Sequence, residues 1–199
     1  MGFQALSSAN NKQSKGLRST GIGAVSCGRN EMYRPNGMGD LQKGERYVIS
    51  PLYICSSLKR SRFFRYANMD YIFLASAMGM MLQLIYASYD IACQWSTRLF
   101  SRMNAPTMPE WLRLCPSTSV EFFVPKFHLP GHIVKCQAPF SFNFAPGVGR
   151  TDGEGVEQNW SVLNGIARSV SMMGPGGRWD TLDDFCNHIN WRKTVTLRE

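Results

Sequence analysis

The longest apolar run of the chain, "MDYIFLASAMGMMLQLIYASY" at residues 69–89, changes character along its length. Its first half predicts a buried helix, whereas "LQLIYASY" predicts a buried strand because β-branched and aromatic residues collect there. Asp90 follows directly, and in "IACQWSTRLFSRM" the apolar residues Ile91, Trp95, Leu99 and Met103 recur every four positions, a helical spacing. Asp90 therefore falls at a strand-to-helix junction. After the proline-bearing linker "NAPTMPEW", the stretch "VEFFVPKFHLPGH" predicts a short strand stopped by Pro125 and then a turn. "FSFNFAP" alternates aromatic and polar residues, which suits a half-buried strand. Thr151 or Asp152 is placed to cap a helix whose apolar members are Val156, Trp160, Leu163, Ile166 and Val170. "GPGG" then reads as a break. "DTLDDFCNHINWRK" reads as a last helix capped by Asp180, with Arg192 and Lys193 near its end. Trp160 and Trp191 sit at core-compatible spacings and read as packing groups rather than base-stacking ones.

Composition changes this picture at the ends. Residues 1–40 are rich in Ser, Asn, Gly and Lys and read as an irregular segment, leaving 41–199 as one mixed α and β domain with no internal repeat. No window holds 18 consecutive apolar residues, and the N-terminus lacks the apolar core of a signal peptide, so a soluble intracellular chain is expected. The cysteines are scattered without a C-x-x-C pair, which predicts reduced thiols rather than a disulfide framework. A formal charge of +8 fits a partner rich in phosphate, because Lys and Arg gain affinity for nucleic acid by releasing its counterions.

Against that positive background, "RTDGEGVEQNW" gathers Asp152, Glu154 and Glu157 at the predicted start of a helix. Carboxylates there interact favourably with the positive end of the helix dipole, so ordinary capping explains them. The alternative is metal, since Mg²⁺ takes one or two carboxylates together with substrate phosphate oxygens, and Asp90 at a strand end is a suitable second ligand. His128, His132 and Cys136 form an H-x3-H-x3-C spacing that could place three Zn²⁺ ligands on one helical face, although Pro130 and Gly131 weaken a continuous helix. Such a structural zinc domain predicts stoichiometric zinc after purification.

Six blocks, taken in order, resemble the conserved blocks of one transposase family. They are "GDLQKGERY" (39–47), "YANMDYIF" (66–73), "SYDIACQW" (88–95), "PKFHLPGHIVKC" (125–136), "GVGRTDGEGVEQNW" (147–160) and "GPGGRWDTLDDFCNHINW" (174–191). The resemblance is to the KDZ (Kyakuja-Dileera-Zisupton) transposases, a group abundant in mushroom-forming fungi, and it covers nearly all of residues 17–195. It implies a partial RNase H-like α/β domain of DDE type with a helix-rich C-terminal half, nuclear location, and transposon-end DNA as partner. It also implies an acidic triad holding Mg²⁺ or Mn²⁺ for DNA cleavage and strand transfer. Asp90 matches the family's "YDIACQ" aspartate, and the acidic cluster matches Asp152, Glu154 and Glu157, with Glu157 the first choice for the final glutamate and Glu154 the second. Lys126, Lys135 and Arg150, beside these blocks, are candidate DNA contacts.

Three departures from the family pattern modify what is expected. The upstream "DxNF"-type block with the first catalytic aspartate does not occur, and loss of that shared ligand is expected to abolish turnover. The chain is then a truncated, inactive fragment, or alternatively a non-catalytic DNA- or protein-binding module derived from a transposase. A family-like "CARH" block reads "CGRN" here, with Asn30 in place of a histidine. Finally, "VISPLYICSSLKRSRFFRY" interrupts what in relatives is a continuous "GERYANMDY", and Arg-Tyr stands on both sides of it. Residues 47–65 are therefore read as a translated, unspliced intron. Its removal would take out Lys59, Arg60, Arg62 and Arg65 and no acid, halving the positive excess. The rival reading is a basic loop that contacts phosphates.

Overall fold

The computed structural model of the chain describes Ser19, residues 21–41 and residues 66–197. The segment 47–65, read above as an intron, lies outside the described residues. Within them the protein is a mixed α/β structure with two two-stranded sheets, in keeping with the expected class.

The first sheet is a hairpin of β1 (Gly21–Ser26) and β2 (Tyr33–Leu41), so residues 21–41 are not irregular as their composition suggested. The strands pair antiparallel, with Gly23 opposite Gly39, Ala24 opposite Met38 and Ile22 opposite Asp40. Glycine weakens a strand unless something approaches closely. Here it does: a Cβ added at Gly23 or Gly39 would meet Ile72 Cδ1 at 2.9 or 2.8 Å. The glycine pair is the seat on which helix α1 (Ala67–Ala77) rests.

Helix α1 is buried over most of its surface, with Tyr71 its one exposed residue. Ile72 faces the hairpin, while Phe73, Leu74 and Ala75 join Tyr66, Ala87, Trp95, Leu99, Met103 and Leu112 in the first core. The second sheet is the parallel pair β3 (Leu84–Ser88) and β4 (Ser119–Phe123), in register from Leu84 beside Ser119 to Ser88 beside Phe123. A parallel pair needs a crossover. It is made by α2 (Ala92–Trp95), a 3₁₀ turn and α3 (Leu99–Met103), whose Trp95, Leu99 and Met103 face the core at the predicted spacing. The strand β3 forms as predicted but is less buried than predicted. Ile85 and Ala87 turn inward, and Leu84, Tyr86 and Ser88 stay exposed because the sheet has a core on one side.

A buried polar knot locks α1 to the crossover. Asp70 accepts from Arg102 through both carboxylate oxygens and from Trp95 Nε1 at 2.7 Å. Arg102 Nη2 also donates to the Trp95 carbonyl at 2.9 Å, and its guanidinium lies 5.3 Å from the centre of the Tyr66 ring.

Beyond β4 come a 3₁₀ turn (Leu129–Gly131), the short helix α4 (Val134–Gln137), a second 3₁₀ turn (Phe142–Phe144), α5 (Gly155–Leu163), a third 3₁₀ turn (Asn164–Ile166) and α6 (Ala167–Ser171). "FSFNFAP" is one of those turns rather than a strand: Phe142 is buried, Phe144 projects outward, and the Ser141 hydroxyl accepts the Asn143 N–H. Side-chain alternation alone does not supply a neighbouring strand. The last helix, α7 (Pro175–Thr196), begins five residues earlier than Asp180, since Pro at the first helical position has no N–H to waste and Gly174 flanks it in extended geometry. "GPGG" therefore starts a helix instead of ending one. Leu163, Val170, Leu182, Cys186 and Ile189 of this half meet Tyr33 in the second core. Trp160 packs against that core, but Trp191 is exposed and stacks near His188.

The hairpin is tied to α7 by long-range bonds. Tyr33 donates its N–H to Asn190 Oδ1 at 2.8 Å and accepts from Asn190 Nδ2 at 3.0 Å. Lys193 Nζ bridges the Glu31 carbonyl, the Glu31 carboxylate and Asn159 Oδ1.

Candidate metal centre

Asp90 sits in the turn just past the carboxyl end of β3, where the Tyr89 N–H donates to the Phe123 carbonyl at the end of β4. The chain leaving β4 enters the segment 125–132, in which the N–H groups of His128 and Leu129 both return to the Pro125 carbonyl. Two bonds stitch the acidic loop to this segment. Lys126 N–H donates to the Asp152 carbonyl at 2.9 Å, and Phe127 N–H donates to Glu154 Oε1 at 2.8 Å. Gly153 makes the close approach possible. Its φ is +83°, and a Cβ there would meet Ser88 Oγ at 2.8 Å, Phe142 Cε2 at 2.9 Å and Pro125 Cα at 3.2 Å. The end of β3, the histidine segment and the acidic loop are thus wedged together around one glycine.

The result brings Glu157, in the first turn of α5, to Asp90 with His128 between them. His128 Nε2 lies 3.8 Å from Asp90 Oδ1 and 3.7 Å from Glu157 Oε1, within ion-pair range but longer than a hydrogen bond. The three ligand atoms all lie within 4.8 Å of one another. Burial pushes the Asp90 carboxyl above the usual carboxylate range, His128 pulls it back, and the charges of Glu157 and Glu154 push it further up. Two carboxylate oxygens brought this close, with an imidazole beside them, form a donor set that suits Mg²⁺ or, with the nitrogen, Mn²⁺.

The other predicted carboxylates are placed differently. Glu154 is spent on the Phe127 N–H, and Asp152 Oδ1 accepts the Glu154 N–H at 3.0 Å just ahead of α5. Neither belongs to the group of three. The predicted zinc set is also divided. Residues 128–137 are not one helix: Leu129–Gly131 is a 3₁₀ turn, His132 is extended at φ −84° and ψ 157°, and only then does α4 begin. His128 consequently joins the carboxylates, while His132 and Cys136 meet Cys93, a residue that sequence reasoning did not select. Cys93 Sγ is 3.4 Å from His132 Nδ1, and burial together with the neighbouring Cys136 thiol pushes its pKa up to about 11. Cys93 stands three residues after Asp90, but Asp90 belongs to the other group, so nothing nearby in the sequence selects it. Among the candidate DNA contacts, Lys135 and Arg150 are exposed and Lys126 is partly so.

A family model described as Kyakuja-Dileera-Zisupton transposase matches residues 1–64 and 61–190. The chain belongs to this family. No curated protein and no solved structure matches it. The two matched segments of this KDZ protein meet at residues 61–64, ahead of α1, and the second carries every residue of both ligand groups. No described helix of the KDZ chain is long and apolar enough to cross a membrane.

Proposed function

We propose that this KDZ protein is part of a metal-dependent DDE-type DNA transposase with an RNase H-like catalytic domain, in which Asp90 and Glu157 hold Mg²⁺ or Mn²⁺ against DNA phosphate. The observation that carries the reading is the convergence of Asp90, from the end of β3, and Glu157, from the start of α5, to within 4.8 Å. Support for the architecture is a parallel strand pair with a helical crossover and an acid just past the end of β3. Family membership supports DNA as the partner, and a nuclear location goes with this proposal. When bound, the cation would supply water activation and charge stabilisation at the phosphate. The protein's own part is to hold the two carboxylates beside His128 and to offer Lys126, Lys135 and Arg150 to the DNA backbone.

Among the described residues the group is closed by His128 and not by a third carboxylate. The 199-residue chain by itself is therefore expected to bind divalent cation and DNA without turnover. Three measurements test this. Calorimetry should show Mn²⁺ binding that Asp90→Asn and Glu157→Gln each remove; affinity unchanged by either sinks the metal assignment. A nicking assay on DNA ends should show no product, whereas nicking abolished by Asp90→Ala would mean the chain is a complete enzyme. Nicking indifferent to that substitution would remove Asp90 from the chemistry. Binding to DNA with no cation dependence at all would favour the alternative, a non-catalytic module.

Residues 47–65 remain our proposal for a retained intron. Genomic sequence should show GT across the codons of Arg46 and Tyr47 and a pyrimidine tract ending in the AG of Arg65; their absence disposes of the idea.

A further inference from the structure

Cys93 on one side and His132 with Cys136 on the other approach each other from separate segments, and none of the three is used by the carboxylate site. We propose that they form a zinc site. One ligand atom from each lies within 4.8 Å of the other two, and Cys93 Sγ is already 3.4 Å from His132 Nδ1. Ligands sharing one tetrahedral zinc, with Zn–S near 2.3 Å and Zn–N near 2.0 Å, stand roughly 3.5–3.8 Å apart, so small side-chain shifts complete the geometry. Two thiolates and an imidazole are a soft-to-borderline set that selects zinc over magnesium, the opposite preference to the carboxylates nearby.

Each half of the site is held by local backbone bonds. Thr97 Oγ1 donates to the Cys93 carbonyl at 3.2 Å, His132 N–H donates to the Leu129 carbonyl at 3.0 Å, and Gln137 Nε2 donates to the His132 carbonyl at 3.0 Å. Cys136 N–H donates to the Ile133 carbonyl at 2.8 Å. With three ligands among the described residues, the fourth position of the tetrahedron is left to water.

The placement gives the zinc a task. Cys93 lies three residues after Asp90, and His132 four residues after His128, so an ion shared by Cys93, His132 and Cys136 clamps together the two segments that carry Asp90 and His128. Zinc is thus a positioning element for the carboxylate pair, a role that rests on the function proposed above, although the site itself does not.

The test uses the full chain purified under a thiol reductant without chelators. Elemental analysis should find one zinc per chain. Cobalt in its place should give thiolate charge-transfer absorption at the intensity of two sulfurs. Cys93→Ser and Cys136→Ser should each lose the metal, whereas His128→Asn and Asp90→Asn should keep it. Absence of zinc with no cobalt charge-transfer band overturns the site, and so does zinc that survives Cys93→Ser or is lost with His128→Asn. Should the cysteine variants not fold, alkylation of the intact protein decides: zinc must shield Cys93 and Cys136, and equal labelling with and without zinc refutes the proposal. For the positioning role, stripping zinc should weaken Mn²⁺ binding about tenfold, the scale of outer-shell effects on metal affinity; an unchanged Mn²⁺ affinity refutes that role. Failure of Mn²⁺ to bind either form would instead count against the carboxylate reading and leave the zinc stoichiometry to stand on its own.

Discussion

Replacing Asp70 by Asn isolates the contribution of a single buried charge. Asp70 is 1% exposed and Arg102 4%, so neither can be rescued by water. The wild-type carboxylate satisfies Arg102 Nε, Arg102 Nη2 and Trp95 Nε1. The amide keeps the shape, but one of its two terminal atoms becomes a donor facing the N–H groups of Arg102 or Trp95. A guanidinium then stays buried with no counter-charge. Removing one partner from a buried pair costs about 3–5 kcal/mol, a large part of the roughly 5–15 kcal/mol that holds a domain folded. With a denaturant slope of about 2 kcal/mol per molar urea, the unfolding midpoint should fall by roughly 2 M at unchanged slope. Trp95 reports the transition directly, since its ring packs edge-on to Phe73, Tyr89 and Phe122. The paired replacement Asp70→Leu with Arg102→Met should recover only part of the loss, because it removes both buried charges but leaves Trp95 Nε1 without its acceptor. A midpoint for Asp70→Asn within about 0.3 M of the parent would refute the reasoning, as would a double variant worse than the single one.

Gly153→Ala forces a side chain onto a backbone at φ +83° and against Ser88 Oγ and Phe142. It should destabilise the fold by about 1–3 kcal/mol in thermal or urea unfolding and weaken Mn²⁺ binding through displacement of Glu157. Asn190→Ala removes both bonds to the Tyr33 backbone. The expected loss is about 1–3 kcal/mol, with faster hydrogen exchange at the Tyr33 amide. At alkaline pH, burial and then the Asp183 charge hold the Cys186 thiol at about 11, raised from 9.0. The unfolded chain ionises first, so this contribution is intact below about pH 9 and is lost as pH rises through about 11. Unfolding midpoints measured from pH 8 upward should fall, and Cys186→Ala should flatten that part of the curve.

Those parts of the fold that depend on local periodicity were legible in the chain. The β3–Asp90–α2 junction, the four-residue spacing of Trp95, Leu99 and Met103, and the strand ahead of Pro125 all follow from side chains that meet their neighbours within one element. What escaped depends on partners far away in sequence. Gly23 and Gly39 look like loop residues until Ile72 is seen seated on them, and Cys93 has no metal-like neighbour until residues 132–136 fold back onto it. The same applies to the site. Asp90 and Glu157 could be selected from their blocks, but that His128 would side with them and leave His132 behind was decided by a 3₁₀ turn at Leu129–Gly131.

The contacts that seat the hairpin also set an order of events during synthesis. Its glycine face meets α1, which follows within a few dozen residues, but Tyr33 on the other side waits for Asn190, 157 positions later. At about 5–20 residues per second a ribosome takes roughly 8–30 s to cover that distance. Through that interval the side of the hairpin carrying Ile22, Ala24 and Met38 has no second core to enter. Any chain cut off before α7, by a premature stop or a misplaced splice, would leave the ribosome with this apolar side permanently uncovered and open to chaperones and proteases.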